Sequence, residues 1–180
     1  MSEDFSSNHP FGNAILDYAS SKEPKIIRVS SDLCDDDELP VAYLFRSYDR
    51  MPAVEKEALG LCKGKILDAG AGAGAHLKFL KEKGHSVFAL DVSPGALSHL
   101  QKHNIPCALS PIQNFETNER YDTILLMMNG IGISEKLDAL KPFLAKCKSL
   151  LKENGQILLD STDIKYLYED EDDSVWIDLN

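Results

Sequence analysis

The sequence predicts an α/β protein, a doubly wound, mostly parallel sheet with helices on both faces. Three observations carry this expectation. Short apolar runs alternate with helical patterns between residues 65 and 160, the signature of βαβ units. Glycine, proline or a strand-ending aspartate punctuates the boundaries of these runs. The run Thr123-Ile124-Leu125-Leu126-Met127-Met128 is almost wholly apolar, as a central parallel strand buried on both faces should be. At 180 residues, 43% hydrophobic and 27% charged, the chain is long enough for one domain with a proper core.

Taken in order, the first 24 residues are polar and carry a short helical pattern, Ala14 to Ala19. Lys25 to Val29 is β-like. The acidic stretch 31–38 reads as a solvated loop, because a run of like charges repels itself. Residues 39–61 read as mostly helical, broken at Pro52, which suits the first turn of a helix ending near Gly60. A buried strand follows over Lys65–Ala69. The helix from Ala75 to Lys83 stops at Gly84, a usual C-terminal cap. Ser86 to Leu90 is a second strand, ended by Asp91. Ser93 caps a helix that starts at Pro94 and runs to His103. Cys107-Ala108-Leu109 is a third strand, and Tyr121 to Met128 a fourth. Asn129 to Ile133 is a loop. Leu137, Leu140, Leu144, Cys147 and Leu151 fall on one helical face. Pro142 predicts a break there, with a longer helix continuing to Lys152 and closed by Asn154-Gly155. Gln156 to Asp160 is a fifth strand.

The pattern centres on Lys65-Ile66-Leu67-Asp68-Ala69-Gly70-Ala71-Gly72-Ala73-Gly74-Ala75. A buried strand ends in an acid, glycines at alternate positions let a ligand approach the backbone, and a helix N-terminus offers free N–H groups. This describes a nucleotide-type cofactor site. Gly70-x-Gly72-x-x-Ala75, with Asp91 at the end of the next strand, nominally matches the dinucleotide fingerprint of nicotinamide and flavin enzymes. Asp68 directly before the glycines, and the lack of a second substrate-carrying domain, weigh against that reading.

The wider pattern resembles the class I S-adenosylmethionine-dependent methyltransferases. Ile66 to Gly74 is similar to their first motif, and Asp91-Val92-Ser93-Pro94 to their second. Tyr121 to Asn129 resembles their fourth strand, and Leu150 to Leu159 the helix, turn and fifth strand that follow. The resemblance implies S-adenosyl-L-methionine as cofactor. It places Asp68, Ala69, Gly70, Gly72 and Gly74 at the methionine part, with Asp68 accepting from the ammonium, directly or through water. Asp91 and Val92 then lie at the ribose, and Ile112 and Gln113 at the adenine, where an acid often found in the family is absent. Met128 and Asn129 lie near the sulfonium and the acceptor. Each has a plainer reading beside this one: a turn cap for Asp68, a helix cap for Asp91, core packing for Ile112 and Met128, a turn residue for Asn129. The N-terminal segment, residues 1–60, is expected to be a helical cap over a cofactor domain spanning 61–180. Arg46 and Tyr43 are then candidates to meet a carboxylate, against the reading of a solvated arginine.

The expected activity is methyl transfer to a small-molecule acceptor, with a non-catalytic or truncated cofactor-binding module as the alternative and an oxidoreductase behind it. No catalytic base stands out, since an activated methyl group needs one only if the acceptor must lose a proton. A net charge of −10 argues against a nucleic-acid partner held through phosphates. No apolar stretch is long enough to span a bilayer and no leader is visible, so a cytoplasmic protein is expected. Four cysteines without a C-x-x-C read as reduced, mostly buried thiols, and His99 and His103 as two solvated helix residues and not a metal site. The family sheet ordinarily continues with an antiparallel hairpin. Here only Val175–Leu179 remains for it, so the domain is expected to be C-terminally shortened, with an open strand edge that favours a homodimer or aggregation.

Overall fold

The computed structural model describes residues 9–30 and 36–163. The elements are α1 (Pro10–Ser21), β1 (Ile26–Val29), β2 (Asp37–Pro40), α2 (Ala53–Leu61), β3 (Lys65–Ala69), α3 (Ala75–Glu82), β4 (Ser86–Asp91), α4 (Pro94–Lys102), β5 (Cys107–Leu109), β6 (Tyr121–Leu126), α5 (Leu137–Leu150) and β7 (Leu151–Leu159). The main sheet is five-stranded and parallel, in the order β5-β4-β3-β6-β7. The chain starts in the middle at β3, runs outward through β4 to β5, and returns to lay β6 on the other side of β3. The strand order therefore reverses between β3 and β6, which makes the carboxyl ends of these strands the crevice where α/β sheets bind ligands.

Alternation along each strand divides the core. Ile66, Leu125 and Met127 pack with Leu59 of α2, Leu77 and Leu80 of α3 and Leu100 of α4. Leu67, Ile124 and Leu126 face the other way, against Phe143, Cys147 and Leu150 of α5. A third cluster joins Ile15 of α1 and Val41 and Leu44 to Ala96 of α4, so the N-terminal segment shares a core with the sheet domain. Gly12 and Gly95 let α1 approach α4 closely: a Cβ built on Gly95 would run into the backbone of Gly12.

Several boundaries depart from the sequence expectation. α1 begins at Pro10, earlier than Ala14, because proline is tolerated in a first helical turn. The acidic stretch is not all loop: Asp37 to Pro40 pairs antiparallel with β1, its charged side chains exposed. Residues 41–45 and 48–50 form 3-10 turns instead of a helix, and Pro52 precedes α2 as its N-cap. β6 ends at Leu126, since Met128 and Asn129 take φ of +64° and +63° and turn the chain. Gly130–Ser134, expected as loop, is a 3-10 turn.

Pro142 does not break α5. It is exposed, and so is Asp138, whose carbonyl it leaves without an N–H, so water can satisfy that oxygen. Leu137, placed on the apolar face by spacing, is 87% exposed. Asn154-Gly155 does not close the helix either. β7 starts at Leu151, and the register jumps from Tyr121↔Leu151 to Thr123↔Gln156, so the Asn-Gly pair lies in a bulge.

Cys62 and Cys147 are buried, Cys107 is half-buried, and all three are unpaired; Cys34 lies outside the described residues. His99 is buried, against the expectation of a solvated side chain. No helix among the described residues is long and apolar enough to cross a membrane. The expected strand at Val175–Leu179 lies outside the described residues. Within them, β7 is an edge of the sheet.

Candidate functional site

Three parallel strands, β3, β4 and β7, each lead into an aspartate at the carboxyl edge of the sheet: Asp68, Asp91 and Asp160. Each carboxylate holds a different position. Asp68 is 1% exposed and its Oδ2 has no hydrogen-bond partner. Burial pushes its carboxyl up to about 6, opposed by the charge of His76 and reinforced by that of Asp91. It caps nothing with that oxygen.

Asp91 is tied down. Its Oδ2 accepts from the Gly72 N–H at 2.7 Å, and its Oδ1 accepts from the Ser93 N–H at 2.8 Å. Burial raises this carboxyl, while the N–H groups of Gly72 and Ser93, the nearby His9 and the Val92 N–H work against the rise. Asp91 thus joins the end of β4 to the glycine turn and orders the entry to α4, where Ser93 Oγ accepts from Ala96 N–H at 3.3 Å. The helix-cap reading and a ligand role are compatible, because a carboxylate has lone pairs beyond the two in use.

Gly70, Gly72 and Gly74 all have positive φ, of +84°, +53° and +78°. At Gly74 a Cβ would also stand 2.6 Å from Leu100 Cδ2, so glycine is required there twice over. Ala69 is buried at the end of β3, and Val92 is half-buried after β4. Phe11, in the first turn of α1, reaches within 3.8 Å of where a Gly72 Cβ would be, so the N-terminal helix lies beside the turn.

On the far side of the crevice Asp160 holds the turn after β6. Its Oδ2 accepts from Met128 N–H at 3.1 Å and its Oδ1 from Gly130 N–H at 2.9 Å. Asn129 is exposed, and its Oδ1 accepts from Thr162 N–H at 3.3 Å. Met128 is 41% exposed at this edge, whereas Met127 is core. Ile112 is 2% exposed and belongs to the α5-side core. Gln113 donates its side-chain N–H to Ile133 O at 3.0 Å, linking the segment after β5 to the segment after β6.

Three participants stand outside the sequence expectation. Asp160 carried a signal, as it ends an apolar strand just as Asp68 and Asp91 do. Glu55 and His76 carried a weaker one, each being polar beside the buried positions of its helix. Arg46 is not solvated: at 6% exposure its Nη2 meets both carboxylate oxygens of Glu55 at 2.5 Å, and His76 Nε2 lies 2.9 Å from Glu55 Oε2. This buried triad connects the N-terminal segment through α2 to the first turn of α3. Burial alone would raise Glu55, but the hydrogen bonds and charges of His76 and Arg46 outweigh it and hold the carboxyl below its usual range.

A reversed parallel sheet, a positive-φ glycine turn and two buried strand-end carboxylates define a protein built to bind a nucleoside-type cofactor. A family model for a methyltransferase domain matches residues 66–155. The crystal structure of an S-adenosylmethionine-dependent methyltransferase from Bacteroides fragilis, in complex with S-adenosyl-L-homocysteine, is 40% identical, with a TM-score of 0.86 over 92% of this chain and 70% of that one. The chain belongs to the S-adenosylmethionine-dependent methyltransferase family. A ubiquinone biosynthesis O-methyltransferase of Pasteurella multocida is 26% identical over 125 residues, 62% of this chain and 52% of that protein. The chain therefore spans about half the length of this curated relative. An S-adenosylmethionine-dependent methyltransferase from Clostridium acetobutylicum shares the fold, with 22% identity and a TM-score of 0.53 over 67% of this chain and 53% of that one.

Proposed function

We propose that the chain binds S-adenosylmethionine at the carboxyl ends of β3, β4 and β6 and serves methyl transfer to a small-molecule acceptor. The observation that supports this most is Asp68, a buried carboxylate with an unpartnered oxygen at the foot of a turn whose three glycines all have positive φ. Such an acceptor fits the cofactor's ammonium. When bound, the sulfonium supplies an activated methyl group.

The chain's own residues would do the rest. Asp68 accepts from the ammonium, and Gly70, Gly72 and Gly74, with Ala69, leave the backbone open to it. Asp91, held by Gly72 and Ser93, offers its remaining lone pairs to the ribose hydroxyls beside Val92. Ile112, at 2% exposure, would back the adenine position from the core, with Gln113 at its rim. Met128 and Asn129, set by Asp160, face the methyl group and its acceptor. The described part of the N-terminal segment, which packs on the sheet domain through Ile15, Val41 and Leu44, would cap it and keep water from the reacting atoms, so positioning supplies much of the acceleration. The negative net charge favours a small acceptor over a nucleic acid, and a cytoplasmic setting is part of the same proposal. The edge of β7 is the place where a second copy would pair.

Asp91→Ala tests the assignment. It should weaken S-adenosylmethionine binding at least tenfold, roughly the loss of a charge-assisted pair of hydrogen bonds. Unchanged affinity in a folded variant would remove Asp91 from the site.

A further inference from the structure

Behind the glycine turn, on the side of α3 and α4, runs a groove of about 660 Å³ between the end of α1, the 3-10 turns and these two helices. Its walls combine aromatic faces with cations. Tyr48 and Phe79 stack with ring centroids 4.0 Å apart and planes 7° from parallel. Phe45 packs edge-on against His99 at 5.1 Å, and His99 lies 4.4 Å from His103. Lys22 sits 5.1 Å from the Phe45 ring.

The charge balance of the groove is opposite to that of the protein. Lys22, Arg46, Lys78 and Lys81 line it against one carboxylate, Glu82, in a chain of net charge −10. Arg46 is neutralised by Glu55, and Lys81 donates to Asn104 O at 2.9 Å. Lys78 has no acceptor among the described residues, and Lys22 meets only the rings of Tyr18 and Phe45. His99 reports the same field: burial lowers it to about 4, and the charges of His103, Lys22 and Lys102 add to the fall. Cations gathered in a concave, part-apolar wall focus a positive potential on whatever enters.

From this arrangement we infer that the groove is a second binding site, for a small planar aromatic anion such as an aryl phosphate or carboxylate. The ring lies between Phe45 and the edges of the stacked Tyr48 and Phe79, whose faces are covered by each other and by Lys56 and Lys83, and the anionic group meets Lys22 and Lys78. The lining includes Ala73 and Gly74, so the ligand packs beside the glycine turn, in a groove that Asp68, Asp91 and Met128 do not line. This site does not depend on the methyltransferase reading.

The test is calorimetric titration of the full chain with phenyl phosphate, alongside inorganic phosphate and benzyl alcohol, each with and without saturating S-adenosylhomocysteine. A ligand of this size in a matching groove should bind with a Kd at or below about 1 mM, and each half alone at least fivefold more weakly. Lys78→Glu, an exposed substitution that leaves the core intact, should weaken phenyl phosphate about tenfold, and Lys22→Glu likewise. S-adenosylhomocysteine should leave phenyl phosphate bound. Overturning results are no binding at 10 mM (roughly ten times the expected Kd), equal binding of either half, unchanged affinity in both lysine variants, or complete displacement by S-adenosylhomocysteine.

Discussion

Asp68→Asn should make the protein more stable and a poorer cofactor binder, and the size of the gain follows from burial. The folded carboxyl sits at about 6, against 3.8 for an ordinary aspartate. Burial leads that shift, with Asp91 adding to it and His76 opposing it. The sign follows from the direction. An acid whose folded value is raised binds its proton more readily in the folded state, so the penalty is absent below the unfolded value near 4. It grows as pH rises and is complete above 6. A gap of about two pH units corresponds to about 3 kcal/mol. Asparagine removes the charge at nearly constant shape but leaves a buried amide to satisfy, which takes back about 1–2 kcal/mol. The net expectation is about 1–2 kcal/mol of added stability at pH 8, fading to none or reversing at pH 4. Urea denaturation of both proteins between pH 4 and 8 measures it. In the same variant, affinity for S-adenosylmethionine should fall at least tenfold, because the ammonium loses its charged acceptor. A variant less stable than wild type at pH 8, or a stability difference independent of pH, would refute the argument that Asp68 carries uncompensated buried charge.

Two further predictions concern the supports of the site. Glu55→Ala leaves Arg46 charged and unpaired at 6% exposure, and should cost about 3–5 kcal/mol, seen as a lower denaturation midpoint; a loss under about 1 kcal/mol would show that the triad is not coupled as described. Asp160→Ala frees the Met128 and Gly130 N–H groups and should lower S-adenosylhomocysteine affinity or turnover more than it lowers stability, which should drop by about 1–3 kcal/mol.

The central strands and the glycine turn were legible because local chemistry dictates them. Ile66 to Asp68 can be little but a buried strand end, and three glycines at alternate positions need positive φ. Pro142 misled, because the cost of a proline in a helix is lower where the turn is exposed, and here both Pro142 and Asp138, the residue whose carbonyl loses its partner, are exposed. Asn154-Gly155 misled for a related reason: the pair marks a tight bend, which a bulge in β7 needs as much as a helix end does. Arg46 was unreadable as a buried residue, since its partners stand 9 residues away on α2 and, through Glu55, 21 residues further on at α3. The ligand contacts proposed for Gln113 and Asn129 were the least legible of the site, because both side chains already bond neighbouring backbone, an outcome fixed by loop packing and not by local pattern.

A glycine turn flanked by Asp68 and Asp91 should select S-adenosylmethionine over a dinucleotide. Calorimetric titration of the purified chain with S-adenosylmethionine, S-adenosylhomocysteine and NAD tests this most directly. The first two should bind with micromolar affinity and NAD should not bind. Binding of NAD, or silence from all three in the folded protein, would contradict it.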